Sequence, residues 1–93
     1  MGPQDSHLRV AWFDRDNYLT VRALLQDRHA WPSRFEEWLE NQQADWVELE
    51  RTGQHPVRVM INANTFNLWC LIHGQAHDTR SFAEFVRTRP VKI

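Results

Sequence analysis

Ten large aromatic rings, those of Trp12, Trp31, Trp38, Trp46 and Trp69 together with five phenylalanines, must be housed by a chain of only 93 residues. Each ring removes a large apolar area from water when it is buried, and a chain of this length builds one core rather than two. The rings are thus a packing constraint before they are a ligand platform. Many of them recur at the spacing of a helix or a strand, which stacked bases or sugars would not require.

The rest of the composition is that of an ordinary globular chain, with 42% apolar and 25% charged residues, so neither disorder nor a fibrous repeat is expected. The longest apolar stretch, Phe66 to Ile72, is broken by Asn67 and falls far short of the ~20 residues that cross a bilayer. Met1 to His7 lack the basic start and apolar run of an export signal, and the expected location is cytoplasmic. A net charge of −1 offers no global attraction to nucleic acid. Charge is nevertheless uneven. Ser33 to Thr52 holds two basic and six acidic residues, whereas Arg80 to Ile93 holds four basic residues and one acidic.

Periodicity predicts the elements in turn. After a loose start through Ser6, Leu8 to Phe13 alternates as a strand. Asp14 or Asp16 caps a helix carrying Tyr18, Val21, Leu24 and Leu25. Beyond Trp31-Pro32, Ser33 and Glu36 have the spacing of a capping box. The helix that follows aligns Phe35, Trp38, Leu39, Gln42, Trp46 and Leu49 on one face, which is expected to be core, and Gly53 terminates it.

Val57, Val59 and Ile61 predict a second strand, and Asn62 or Asn64 a cap for a helix running to Gly74. That helix is apolar on most sides and is expected to be central. Asp78 caps a last helix with Phe82, Phe85 and Val86 inward, stopped by Pro90. Val91-Lys92-Ile93 could supply a further edge strand. The expected fold is one small α+β domain over residues 1–93, ordered β-α-α-β-α-α, with a two- or three-stranded sheet packed against helices. Because two strands alone leave open edges, a partner chain or a homodimer could complete the sheet.

Cys70, His73 and His77, with Asp78 adjacent and His55 within the chain's reach, form the one constellation with metal-ligand character. Cys70 and His73 lie one helical turn apart, and Gly74 allows a bend that returns His77 toward them, which would give zinc three ligands. The same Cys70 and His73 could make a thiolate–imidazole pair. Against both, Leu68-Trp69-Cys70-Leu71-Ile72 reads as a buried segment in which cysteine is a small hydrophobe. Arg80, Arg87 and Arg89, with Arg58 and Lys92, are a sparse basic footprint for nucleic acid. Trp31, in the break between two helices, could anchor a protein partner or staple the helices together.

Phe13-Asp14-Arg15, Tyr18-x-x-Val21-Arg22-x-Leu24, Pro32-Ser33-x-Phe35-Glu36-Glu37-Trp38, Phe66-x-x-Trp69-Cys70-x-x-x-Gly74 and Arg80-Ser81-Phe82-Ala83 together resemble a pattern of small bacterial proteins of uncharacterised function. The resemblance implies a bacterial cytosolic origin and an α+β fold. It carries over no activity, cofactor or catalytic residue. With caps, core aromatics and no assembled reactive group, the chain reads as a non-enzymatic protein-binding or regulatory module. The rival reading is a metal-binding or thiol-dependent protein using Cys70, His73 and His77.

Overall fold

In the computed structural model, which describes residues 7–91, two six-residue strands, β1 (His7–Trp12) and β2 (His55–Met60), pair in parallel. Their register sets Ala11 beside Val59 and Trp12 beside Met60. Parallel neighbours cannot be joined by a tight turn and need a crossover of about a dozen residues or more. Here the crossover carries α1 (Arg15–Leu24), a short 3-10 turn (Arg28–Ala30) and α2 (Phe35–Arg51). Beyond β2 come α3 (Ala63–His73) and α4 (Thr79–Arg87). The order is the predicted α+β succession with a single 3-10 turn added. Val91 lies in neither a helix nor a strand, and Lys92 and Ile93 of the predicted third strand, like the loose start through Ser6, fall outside the described residues.

The strands sort their side chains by alternation. Val59 and, just past the strand ends, Phe13 and Ile61 join the buried cluster of Tyr18, Val21, Leu25, Phe66, Cys70, Phe82, Phe85 and Val86. Trp12 points the other way and meets Trp38 and Trp46 of α2 edge to face, with ring centroids 5.7 and 5.8 Å apart. Ile61 N donates to Trp12 O (2.9 Å), so the carbonyl of Ala11 faces away from β2. Gln42 of α2 donates to that carbonyl at 3.1 Å, covering part of the edge of β1.

The α2 stripe is shallower than its pattern predicts. No residue of α2 is fully buried; Phe35, Trp38, Leu39, Trp46 and Leu49 are half-buried. α2 packs on β2 and α1, whereas the principal helix neighbours of α3 are α1 and α4. The fully buried rings come from elsewhere, chiefly Tyr18, Phe66 and Phe85. The predicted capping box does not form either. Arg34 occupies the N-cap position of α2 with no side-chain bond, and Glu36 pairs instead with Arg15 of α1 and, at 3.9 Å, with Arg34. With Arg34 as N-cap, Glu36 stands at the second helical position and not the third, out of register for the reciprocal box with Ser33.

The other caps form as their residues predict. Asp14 accepts from Asn17 N (2.8 Å), Asn62 from Thr65 N (3.1 Å) and Asp78 from Ser81 N (2.8 Å). Two further caps cross the fold. Asn17 of α1 accepts from Ala63 N at the start of α3 (2.8 Å), and Asp27 accepts from Thr79 N at the start of α4 with both oxygens (3.0 and 3.2 Å). Gln26 N donates to His77 O at 2.7 Å beside the second of these. Orphan helix N–H groups are thereby satisfied by side chains 46 and 52 residues away. α2 and α3 end at glycines with positive φ, Gly53 (84°) and Gly74 (62°). In each case the following residue's N–H reaches back into the last turn, Gln54 to Leu49 O and Gln75 to Cys70 O.

Burial orders the expected losses. Phe66→Ala should cost about 3–5 kcal/mol, and Trp38→Ala, half-exposed, clearly less; equal losses in chemical denaturation would contradict this core. Asp27→Ala should cost about 1 kcal/mol, within the range for a lost cap. The backbone N–H of Ser81 holds the Asp78 carboxyl below its ordinary 3.8, and Arg15 holds Glu36 below 4.5. Because both are lowered on folding, their stabilisation is present above the ordinary carboxyl range and is lost as pH falls through the lowered folded values. A pH series of unfolding midpoints should therefore decline below pH 4.5, and Asp78→Asn should flatten part of that decline.

Candidate functional site

The residues with metal-ligand character are adjacent in the chain but are not gathered into a ligand set. Cys70 faces the core from α3, 1% exposed, and its Sγ lies 3.9 Å from Ala76 O. Burial, helped by the charge of Asp78, pushes its thiol above the ordinary value of 9.0. His77 Nε2 lies 2.8 Å from Asn67 Oδ1, so that nitrogen donates to the amide carbonyl and turns no lone pair outward. His73 is exposed and lies tilted against Trp69, with centroids 4.9 Å apart. Asp78 is occupied in capping α4, and His55 is exposed at the start of β2. Among the described residues no group of three or more His, Cys, Asp or Glu is placed to hold a metal ion.

Trp31 is half-buried and tied into the fold. Its indole N–H donates to Thr79 Oγ1 (2.9 Å), and its ring meets those of Tyr18, Phe13 and Phe82. Tyr18 in turn donates its hydroxyl to Pro32 O, the residue after Trp31. The ring also lines a cleft of about 270 Å³ with Trp38, Gln42 and Phe82. These contacts tie Trp31 to α1, to the end of β1 and to α4.

The predicted basic footprint is divided: Arg58 and Arg89 line one cleft, and Arg80 another. Arg58 lies over the rings of Trp12 (4.4 Å) and Trp46 (4.8 Å), a cation–π arrangement that fastens β2 to α2. Arg87 pairs with Glu84 at 3.2 Å, and Arg80 is exposed beside the polar cleft that also holds His73, Asp78 and Glu84. Lys92 is outside the described residues.

What the sequence misplaces is the outer side of α3. The helix buries Ala63, Phe66 and Cys70, yet Leu68, Leu71 and Ile72 are 55, 64 and 77% exposed. The helix is peripheral, not central. Its outward ridge borders two clefts that share Thr65 and Arg89. One, about 350 Å³, runs from Val59 and Met60 of β2 to Phe85 and Pro90; the other, about 240 Å³, lies among Leu68, Trp69, Ile72 and His73. Together they trace a groove from the edge of β2 along α3, with the end of α4 as its far wall. Met60, 63% exposed, extends the apolar surface at the β2 end. The available sequence signal was the length of the apolar run: with Phe66 and Cys70 turned inward at helical spacing, Leu68, Leu71 and Ile72 cannot all follow them.

No protein-family model, curated protein or solved structure matches the chain significantly. No helix of the described residues is long and apolar enough to cross a membrane. Function therefore has to be read from the geometry.

The placement of Cys70 predicts its chemistry. A thiol reagent should label the folded protein slowly at pH 7 to 8 and at the free-thiol rate once denaturant opens the core, because the thiolate is the reactive form and burial disfavours it. Labelling of the folded chain as fast as of the unfolded chain would put Cys70 on the surface.

Proposed function

We propose that this chain is a non-enzymatic protein-binding module whose docking face is the outer ridge of α3 and the groove beside it. One observation carries the reading: Leu68, Leu71 and Ile72, three large aliphatic side chains on one helix, are left more than half exposed while the same helix buries its opposite side. Contiguous apolar surface bordered by polar residues is characteristic of interaction sites, and burying it is favourable by about 25 cal/mol per Å². Asn64 and Gln75 flank the ridge with exposed polar side chains. A protein partner fits this surface better than nucleic acid does, since aliphatic side chains give no purchase on phosphate. The thiol or metal reading has less support, given the buried Cys70 and, among the described residues, no three side chains placed to share a metal ion.

The test compares two exposed positions. A photo-crosslinking side chain placed at Ile72 in the organism's own cells should yield discrete adducts that disappear when Leu68→Asp is added, whereas one placed at Val47 on α2, itself 63% exposed, should not. The same adducts from both positions, or adducts insensitive to Leu68→Asp, would defeat the proposal. Leu68→Asp should leave stability within about 0.5 kcal/mol, as befits an exposed substitution, so loss of adducts cannot be put down to unfolding.

A further inference from the structure

Arg89 stands where the two clefts meet, and its environment differs from that of the chain's paired arginines. Its backbone is fixed, its carbonyl accepting from Arg9 Nε (2.8 Å) and its N–H donating to Val86 O (3.1 Å). The guanidinium lies over the Phe85 ring at 4.2 Å and makes one side-chain hydrogen bond, to Thr88 Oγ1 (3.2 Å). Its Nε is buried without a hydrogen-bond partner. Arg15, Arg34, Arg51 and Arg87 each face a glutamate, but Arg89 has no carboxylate partner among the described residues. Among the described residues no acidic side chain lines either cleft, and the other ionisable side chains there are Arg58 and His73.

We infer that the partner segment is an acidic, aliphatic α-helix that lays its apolar side along Leu68 and Ile72 and places a carboxylate on Arg89. This rests on the docking reading above and gives it a partner chemistry. Three considerations select the occupant. The Arg89 guanidinium meets no carboxylate among the described residues, and a carboxylate is the group whose charge and geometry match its planar fork. Thr65, Leu68 and Ile72 follow one another along α3 at intervals of three and four, the ridge into which a second helix interdigitates. A helix pairs with such a ridge by placing aliphatic residues at the same intervals, as helix-in-groove complexes do. Stacking on Phe85 and the fixed backbone hold Arg89 in place beforehand, which limits the ordering cost of binding.

The probe is a synthetic fifteen-residue helical peptide, with length on the order of four turns, bearing leucines at helical spacing and one glutamate among them. Matched peptides replace that glutamate with glutamine or lysine. Titrated into the whole protein and followed by NMR, the glutamate peptide should shift the amides of Thr65, Leu68 and Ile72 and the Nε–H of Arg89. It should bind about tenfold or more tightly than the glutamine peptide, the factor expected of a charged hydrogen bond, and the lysine peptide should be weakest. Arg89→Gln should erase the glutamate preference while leaving the glutamine peptide's affinity unchanged, and added salt should narrow the preference.

Equal binding of the three peptides with shifts still on α3 would overturn the acidic partner while leaving the docking face standing. Binding of none, or shifts centred on α2, would overturn the inference, and the crosslinking comparison then decides separately whether α3 docks anything. A dimer in sedimentation that dissociates on Ile72→Asp would overturn it in favour of a second copy of this chain.

Discussion

Two parallel strands cannot be neighbours unless something long enough to bridge them is folded in between, and that constraint organises this molecule. The pairing of His7–Trp12 with His55–Met60 commits α1 and α2 to a crossover before β2 can be laid down. A two-stranded sheet contributes few ladder bonds and little buried area by itself. The crossover helices and the two that follow must supply the rest, and they do so with rings. Phe13, leaving β1, meets Tyr18, Trp31, Trp38 and Phe82, which belong to four different segments. The high aromatic content of the sequence is the counterpart of its small sheet.

Polar groups then fix the positions that rings alone would leave loose. Apolar contacts tolerate sliding, whereas a hydrogen bond to a particular backbone N–H does not. Asn17 and Asp27 bind the starts of α3 and α4, Gln42 binds the edge of β1, and Arg9 binds the end of α4. Arg58, held between Trp12 and Trp46, closes α2 onto β2. Each of these residues is charged or polar, and each spends its side chain on the fold.

Local signals were legible where the partner was also local. Asp14, Asn62 and Asp78 cap the helices they precede, and Gly53 and Gly74 end the ones they follow, because a cap involves only the next three or four residues. Ser33 and Glu36 have the right spacing and still fail, since the helix takes Arg34 as its N-cap and Glu36 turns to Arg15 of another helix. Asn17 and Asp27 gave no sign of their second roles, which depend on residues 46 and 52 positions away. Depth was legible only in part. The period of α2 identified the correct face, but a face toward a two-stranded sheet has too little above it to be buried fully. For α3 the apolar run was read as a central helix, a reading that cannot distinguish a helix buried all round from one buried on one side and presented on the other. Arg89 was visible as a charge, but its lack of a carboxylate partner is a property of the fold.

The long-range caps divide the helices by how each end is held. The starts of α3 and α4 are tied to the segment from Asn17 to Asp27, while their far ends are held separately, by the glycine-terminated turn at Gly74 and by Arg9 on the Arg89 carbonyl. An opening of α1 would expose Tyr18 and Val21 and free the start of α3, where Asn62 and Thr65 line the groove, so α1 and the groove belong to one cooperative unit. The shape of the apolar ridge around Ile72 thus depends on α1, a helix that the ridge itself does not face.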